Sequence, residues 1–112
     1  MALIAMLAAP AARAHHGWAW TTGKSIELSG TITAVKLGNP HGVITVDVGG
    51  TSWSAEVGQP WRNAEAGIKD GDLAPGVAVR IVGEPSADPN EKRIKVVRLY
   101  LGAKEHILYS DR

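Results

Sequence analysis

The alternation of apolar and polar residues is the feature that most constrains how this chain folds. In residues 25–37 every second position from Ile26 to Ile32 is apolar or glycine, and the positions between them, from Glu27 to Thr33, are polar. A period of two places successive side chains on opposite sides of the backbone, which is typical of a strand with one buried face. We therefore predict a long β-strand over these residues.

Two further segments have the same period and extend the predicted sheet. Residues 43–48 and 51–57 alternate in the same way, and Gly49-Gly50 between them is typical of a two-residue hairpin turn. Gly30, inside the first strand, predicts a bend or a close approach of another backbone, as where a small barrel curls. Trp53, on the apolar side of the third strand, is predicted to lie in the core.

The period changes after the third strand. Residues 60–67 begin with a proline, contain alanines and end with a glycine, which predicts one or two helical turns. A loop is predicted over residues 84–92, which contain two prolines. Three further strands are predicted over residues 77–81, 94–101 and 105–109.

This order of elements indicates a fold class. Three strands, a short helix and then further strands is the order of an oligonucleotide/oligosaccharide-binding (OB) barrel. We predict an all-β fold with one short helix, built as a small OB-like barrel of five to six strands. A small β-sandwich is the alternative.

The first residues have the pattern of an export signal. Residues 2–9 are almost wholly apolar, Pro10 breaks the run, and Ala12 and Ala14 stand at the −3 and −1 positions that signal peptidase reads. No Lys or Arg precedes the apolar run, so we expect Met1 to be an internal methionine of a truncated start. The alternatives are a buried helix or a membrane anchor, but a bilayer span needs about 20 apolar residues.

The predicted organisation has three parts: a cleaved signal over residues 1–14, an extended N-terminal segment over 15–24 and the barrel over 25–112. Cleavage would remove Arg13 and both methionines, leaving 98 residues with 11 basic and 11 acidic side chains and no sulfur. This balance, without a basic run, predicts no nucleic-acid partner and no attachment to a membrane. The lack of cysteine excludes disulfides, thiolate metal sites and a cysteine nucleophile. We expect a periplasmic monomer.

A histidine pair follows the predicted cleavage site. Cleavage after Ala14 would leave His15 with a free amine, and amine and imidazole together chelate a metal. His41 lies in the predicted turn between the first two strands, and a ten-residue segment reaches up to roughly 30 Å when extended. The predicted ligands are the amine and ring of His15 with the ring of His41, and His16 as an auxiliary ligand. Cleavage one residue earlier would also leave a chelating Ala-His-His end.

The chemistry of this predicted site follows from its ligands. Nitrogen ligands favour Cu(II), with Ni(II) or Zn(II) behind it. Asp47 or Glu56 would supply an oxygen, but the sequence does not place either nearby. The alternative is that the histidine pair is a soluble terminus and His41 an ordinary turn residue. His106 is predicted to be a half-exposed strand residue.

Tryptophan is the second residue type that suggests a function. Trp18 and Trp20 share one side of the predicted extended segment, and Trp61 opens the predicted helix. These three side chains would form an aromatic surface for a sugar or a peptide, as OB barrels often provide. The alternative is that they pack against the barrel and hold the N-terminal segment to it.

Several motifs along the chain carry a resemblance to a family. They are, in order, Ala14-His15-His16-Gly17-Trp18, Leu28-Ser29-Gly30-Thr31-Ile32, Asn39-Pro40-His41, Trp53 with Glu56, Pro60 with Gly67, and residues 77–83. With them the chain resembles the small exported bacterial proteins grouped as DUF6152. It departs at Gly17, where members often have serine, and at Pro75-Gly76, where they have Gly-Asp. The resemblance implies a periplasmic β-rich domain and brings no established activity.

Catalytic motifs do not occur in the sequence. It has no G-x-S-x-G, H-E-x-x-H, P-loop or G-x-G-x-x-G pattern. We therefore expect a non-enzymatic periplasmic protein that binds Cu(II) or another divalent metal. The alternative is a metal-free module that binds a protein or an envelope saccharide on its aromatic surface. A third hypothesis is a mononuclear copper oxidase.

Overall fold

The fold was analysed in a computed structural model that describes residues 17–112. The predicted signal over residues 1–14 and the predicted ligands His15 and His16 lie outside the described residues. The elements of the described chain are β1 (Ile26–Lys36), β2 (Val43–Val48), β3 (Thr51–Glu56), α1 (Pro60–Glu65), β4 (Ala78–Pro85), β5 (Arg93–Leu101) and β6 (Lys104–Ile107).

The strands form one sheet that closes into a barrel. Its order is β3-β2-β1-β4-β5-β6, with antiparallel neighbours, and β3 also pairs in parallel with the first residues of β5. This pairing joins Ser54 to Arg93, Ala55 to Ile94 and Glu56 to Lys95. The predicted OB-like barrel with one short helix is confirmed, with β6 as an extra strand on β5. The sandwich alternative is wrong because the sheet closes on itself.

The alternation in β1 determines which side of the barrel wall faces inward. Ile32 is buried on the inner side, whereas Thr31 and Thr33 are exposed. A Cβ on Gly30 would overlap the carbonyl oxygen of Asp47 on β2, so the predicted close approach is confirmed. The register then shifts between Ile32 and Ala34, where the strand bulges.

The core lies inside the barrel and is made of aliphatic side chains. Its buried members are Ile32, Ile44, Val46, Ala55, Val57, Ile68, Leu73, Val79, Ile81, Ile94, Val96, Leu99 and Leu108. Ile68 and Leu73 come from the chain after α1. Trp53, predicted to be a core residue, is only half-buried at the margin of this cluster, and its ring centre lies 5.5 Å from Lys92 Nζ.

The prediction for His106 is wrong. Its residue surface is 1% exposed, while the neighbouring Ile107 is 48% exposed. The ring turns inward because Nδ1 donates a hydrogen bond to the carbonyl oxygen of Ala66 over 2.9 Å. Ala66 is the C-cap of α1, and carbonyl groups at a helix end lack partners within the helix. A buried polar ring is therefore favoured here over an aliphatic side chain.

Across residues 17–112, none of the helical structure is long and apolar enough to span a membrane.

Candidate functional site

The N-terminal segment folds back onto the barrel. Residues 17–20 form a turn rather than an extended chain, and the backbone N–H of Thr21 donates to the carbonyl oxygen of Trp18. Thr21 then pairs with Ser86, and Thr22 donates to the carbonyl oxygen of Pro85. We call residues 17–20 the N-terminal turn. The two residues that follow this turn, Thr21 and Thr22, are thus hydrogen-bonded or paired to the chain at the end of β4.

A buried carboxylate clamps this turn. Glu84, predicted to begin a loop, is the penultimate residue of β4 and is buried. Its Oε1 accepts hydrogen bonds from the hydroxyl of Thr21 at 2.8 Å and from Arg112 Nη2 at 2.9 Å. Its Oε2 accepts a third, from Arg112 Nε at 3.1 Å. The two-point contact orients the Arg112 guanidinium, and the hydrogen bond from Thr21 joins the N-terminal turn to β4.

Trp18 packs among aromatic and cationic side chains. Its ring meets Tyr109 edge-on, with centroids 5.0 Å apart and planes at 84°. Arg112 Cζ lies 4.1 Å and Lys95 Nζ 4.9 Å from the centre of the Trp18 ring. Burial raises the pKa of Tyr109 above its usual value, although the nearby Arg62 acts in the opposite direction, so the phenol stays neutral near pH 7. Trp18 therefore holds the N-terminal segment to the barrel.

Beneath the N-terminal turn lies a cluster of polar side chains around one carboxylate. We call it the Glu56 cluster, and it comprises Glu56, Lys95, Arg93 and His41. Lys95 Nζ donates to Glu56 Oε2 at 2.8 Å, and Arg93 Nη2 donates to Oε1 at 3.2 Å. His41 Nδ1 lies 3.8 Å from Oε2. The parallel pairing of β3 with β5 sets Glu56 beside Lys95.

Exposure differs within the Glu56 cluster. The side chain of Lys95 is 3% exposed and that of Glu56 is 8% exposed, whereas Arg93 and His41 are 36% and 40% exposed. The cluster thus has a buried ion pair at its base and two nitrogen-bearing side chains at its surface.

Of the two predicted oxygen donors, the structure places only Glu56 near His41. Asp47 is exposed and lies four residues beyond Val43 on β2, which corresponds to about 13 Å of strand. Among residues 17–112, no three His, Asp or Glu side chains form a group that could hold a metal. Within residues 17–112, Glu56 is the carboxylate that lies beside His41.

Gly17 lies directly over the Glu56 cluster. A Cβ placed on Gly17 would be 3.6 Å from Lys95 Nζ. Lys95 in turn contacts Glu56, and Glu56 adjoins His41. The residue that follows the predicted histidine pair is therefore separated from His41 by two side chains.

The three tryptophans of the predicted aromatic surface have different environments. Trp20 stacks against Arg93, whose Cζ lies 3.7 Å from the ring centre, while Trp18 is packed as described. Trp61 is 51% exposed, with Arg62 Cζ 4.6 Å from its ring centre. An open cleft of about 520 Å³ lies between the N-terminal turn and residues 111–112. Trp18 and Trp20 thus serve to anchor the segment, and Trp61 is the exposed ring among them.

Sequence reasoning did not identify Lys95, Arg93 or Glu84 as parts of this site. The detectable signal for the first two is that Arg93 and Lys95 alternate with the core residues Ile94 and Val96 at the start of β5. That pattern places two cations on the outer side of a strand that the barrel closure sets beside β3.

The closed sheet and its helix define a protein of the OB-barrel class. Residues 3–95 match the model of DUF6152, a family of unknown function. The chain belongs to this family. No curated protein matches the sequence.

Solved structures share the fold at low identity. The Stn1–Ten1 complex of S. pombe matches with a TM-score of 0.55 and 18% identity over 71% of this chain and 59% of the other. A complex of TiaS with tRNA, AMPCPP and agmatine matches with a TM-score of 0.53 and 18% identity over 70% of this chain and 18% of TiaS. A ZRD-deleted TiaS with agmatine matches with a TM-score of 0.53 and 16% identity over 80% and 23%. This chain spans less than two thirds of each of them, and the likeness concerns the fold alone.

Proposed function

We propose that this is an exported periplasmic, non-enzymatic protein that binds Cu(II) or a similar divalent metal. The ligands are the amine and ring of His15 and the ring of His41, with His16 as an auxiliary ligand. The observation that carries the proposal is the position of Gly17, the residue after the pair, over the Glu56 cluster that includes His41.

Chain length supports this ligand set. Consecutive Cα atoms are 3.8 Å apart, so the Cα of His15 lies within about 7 Å of that of Gly17, and an imidazole extends the reach further. Consecutive contacts through the Lys95 and Glu56 side chains connect the position of Gly17 with His41. The proposal therefore requires the amine and ring of His15 to extend past the Lys95–Glu56 pair to His41.

The charges of the cluster support nitrogen ligands. Glu56 already accepts hydrogen bonds from Lys95 and Arg93, and a metal bound to its carboxylate would displace them. The exposed ring of His41 has no such competition among the described residues. Amine and imidazole nitrogens in a site without sulfur favour Cu(II) over Ni(II) and Zn(II).

The alternative is a metal-free interaction module for a protein or an envelope saccharide. It is supported by the exposure of Trp61. Trp18 and Trp20 favour it less, because both are only partly exposed and hold the N-terminal segment to the barrel. A mononuclear copper oxidase would further require an open coordination position facing a substrate. We do not propose nucleic-acid binding, since basic and acidic residues balance.

Replacing His41 tests the metal site. Protein beginning at His15 is titrated with Cu(II) by calorimetry, and the fluorescence of the tryptophans is followed in parallel. His41→Ala is expected to weaken the affinity at least tenfold, the usual order for a lost ligand or supporting group. Asp47→Asn removes an exposed carboxylate further along β2 and is expected to leave the affinity unchanged.

Two results would count against the site. Binding weaker than about micromolar, roughly −8 kcal/mol, would exclude a specific metal function. Tight binding that His41→Ala leaves unchanged would mean a chelate made by the N-terminus alone.

A further inference from the structure

Residues 17–22, which we call the strap, are attached to the barrel by a small set of contacts. The strap belongs to none of the six strands and forms a single bridge, between Thr21 and Ser86. Three hydrogen bonds join it to the end of β4 and the residues just beyond: Thr22 N–H to the carbonyl oxygen of Pro85, Ala87 N–H to that of Trp20, and the Thr21 hydroxyl to Glu84. Segments with few such bonds near the surface open at a lower free energy than core strands do.

The chain between the strap and β1 is suited to act as a hinge. Residues 22–25 are exposed, and the backbone N–H groups of Gly23 and Lys24 donate to the hydroxyls of Thr21 and Thr22, within the same segment. Gly23 has a φ of +79° and no neighbouring group within 4 Å of an added Cβ. Glycine adopts either sign of φ at little cost, so the backbone can rotate here. The open cleft of about 520 Å³ beside the N-terminal turn leaves space for such a movement.

The strap in its observed position covers the ammonium group of Lys95. A Cβ on Gly17 would lie 3.6 Å from Lys95 Nζ, and the centre of the Trp18 ring lies 4.9 Å from it. The same ammonium donates to Glu56, and the Lys95 side chain is 3% exposed. Because Gly17 and Trp18 both belong to the strap, its opening would expose the ammonium to water. Rehydration of this charge would offset part of the contacts that Trp18 loses.

We propose that the strap opens and closes on the barrel as one unit, with the hydrogen bond from Thr21 to Glu84 as its latch, and that opening uncovers the Lys95–Glu56 ion pair. Arg112 holds the Glu84 carboxylate at two points, so the acceptor stays in place when Thr21 leaves. The strap thereby controls when water and solutes reach the ion pair. This device does not depend on the proposed metal site.

Hydrogen exchange of the whole chain, followed by NMR, tests the proposal because two adjacent amides report on different parts. The N–H of Ala87 donates to the strap, whereas that of Ser86 donates to the carbonyl oxygen of Arg93 on β5. Thr21→Val keeps the shape of the side chain and removes its hydroxyl. We expect exchange at Ala87 and Thr22 to accelerate at least tenfold, as for a lost hydrogen bond to a charged group, and exchange at Ser86 to stay unchanged.

The matched control is Thr33→Val. The hydroxyl of Thr33 donates to the carbonyl oxygen of Thr45 on β2, so its loss is expected to leave exchange at Ala87 as in the parent protein. A second variant, Trp18→Leu, removes the contact of the strap with Tyr109 and is expected to accelerate exchange at Ala87 as Thr21→Val does.

Labelling with acetic anhydride, read by mass spectrometry, measures whether the opening uncovers Lys95. The exposed Lys104 gives the reference rate. The ratio of labelling at Lys95 to that at Lys104 is expected to rise at least tenfold in Thr21→Val, because labelling and exchange follow the same opening.

Three results would overturn the proposal. Equal protection of Ser86 and Ala87 in the parent protein, Thr21→Val and Trp18→Leu would mean that the strap does not open separately from the barrel. Equal acceleration at Ala87 in Thr21→Val and Thr33→Val would mean that the Thr21 hydroxyl is not a latch. Faster exchange at Ala87 without faster labelling of Lys95 would mean that opening leaves the ion pair covered.

Discussion

Glu56→Gln is expected to lower the free energy of unfolding by about 3 kcal/mol, at the lower end of the range for breaking a buried ion pair. The reason is the ammonium group of Lys95, which is 3% exposed and donates to Glu56 at 2.8 Å. Glutamine has nearly the same shape but no charge, so the ammonium stays buried without its counter-charge. The Trp18 and Tyr109 rings near Lys95 compensate only partly.

Urea denaturation of the purified variants measures this effect. Glu27→Gln is the matched control, because Glu27 pairs with Arg80 at the surface, where ion pairs contribute about 0 to 1 kcal/mol. Adding Lys95→Met to Glu56→Gln is expected to recover part of the loss, since it removes the unpaired charge. If Glu56→Gln lowers the free energy of unfolding no more than Glu27→Gln does, the buried ion pair between Glu56 and Lys95 does not stabilise the fold as expected.

Gly30→Ala is expected to destabilise the barrel by about 3 kcal/mol, the upper end of the usual cost of overpacking. The added methyl group would overlap the backbone carbonyl oxygen of Asp47 and lie 2.9 Å from Val46 Cγ1. A side chain can rotate away from such a contact, but a carbonyl within a sheet cannot. Relief therefore requires β1 to move relative to β2.

Thermal unfolding followed by circular dichroism measures the effect, and a fall of about 10 °C or more in Tm is expected for a domain of this size. The control is Gly49→Asn. Gly49 has a φ of +57° and no neighbour within 4 Å of an added Cβ, and Asn-Gly is the preferred pair in a tight hairpin turn. An equal fall in Tm in Gly30→Ala and Gly49→Asn would show that the close approach of β2 does not constrain Gly30.

The sequence predicts those parts of the fold that depend on local pattern. β1, β2 and β3 follow a period of two, and the change of period at Pro60 marks α1. The prolines of residues 84–92 predict a loop, yet β4 includes Pro85 as its last residue. The carbonyl of Pro85 points to the N-terminal segment and accepts from Thr22, so the missing N–H points the same way and removes no bond between β4 and β5. No local pattern reveals this contact.

The buried polar groups could not be predicted, because each depends on a partner far along the chain. Lys95 lies 39 residues from Glu56, and His106 lies 40 residues from Ala66. Without knowledge of those contacts, a lysine or a histidine in a strand is predicted to be exposed to solvent. The closure of β3 on β5 creates the first contact, so the Glu56 cluster becomes predictable only after the barrel topology is known.

In the candidate site, too, the local features could be predicted from the sequence and the long-range contacts could not. The sequence singles out His41 and leaves the N-terminal segment long enough to reach its turn. The structure places Gly17 beside Lys95, which pairs with Glu56 next to His41. The metal ligands themselves stay a prediction, since His15 and His16 lie outside the described residues. The cations beside His41 were not predicted, because the pairing of β3 with β5 is what brings Arg93 and Lys95 to the site.

The contact of Arg112 with Trp18 has a practical consequence for how the protein is prepared. A polyhistidine tag fused after residue 112 would begin beside the N-terminal turn and would bring its own imidazole groups to the candidate site. Such a preparation would bind copper regardless of His41, and affinity purification on nickel would select for that artefact. An insertion at Gly49-Gly50, in the hairpin between β2 and β3, would keep the tag at the opposite end of those strands.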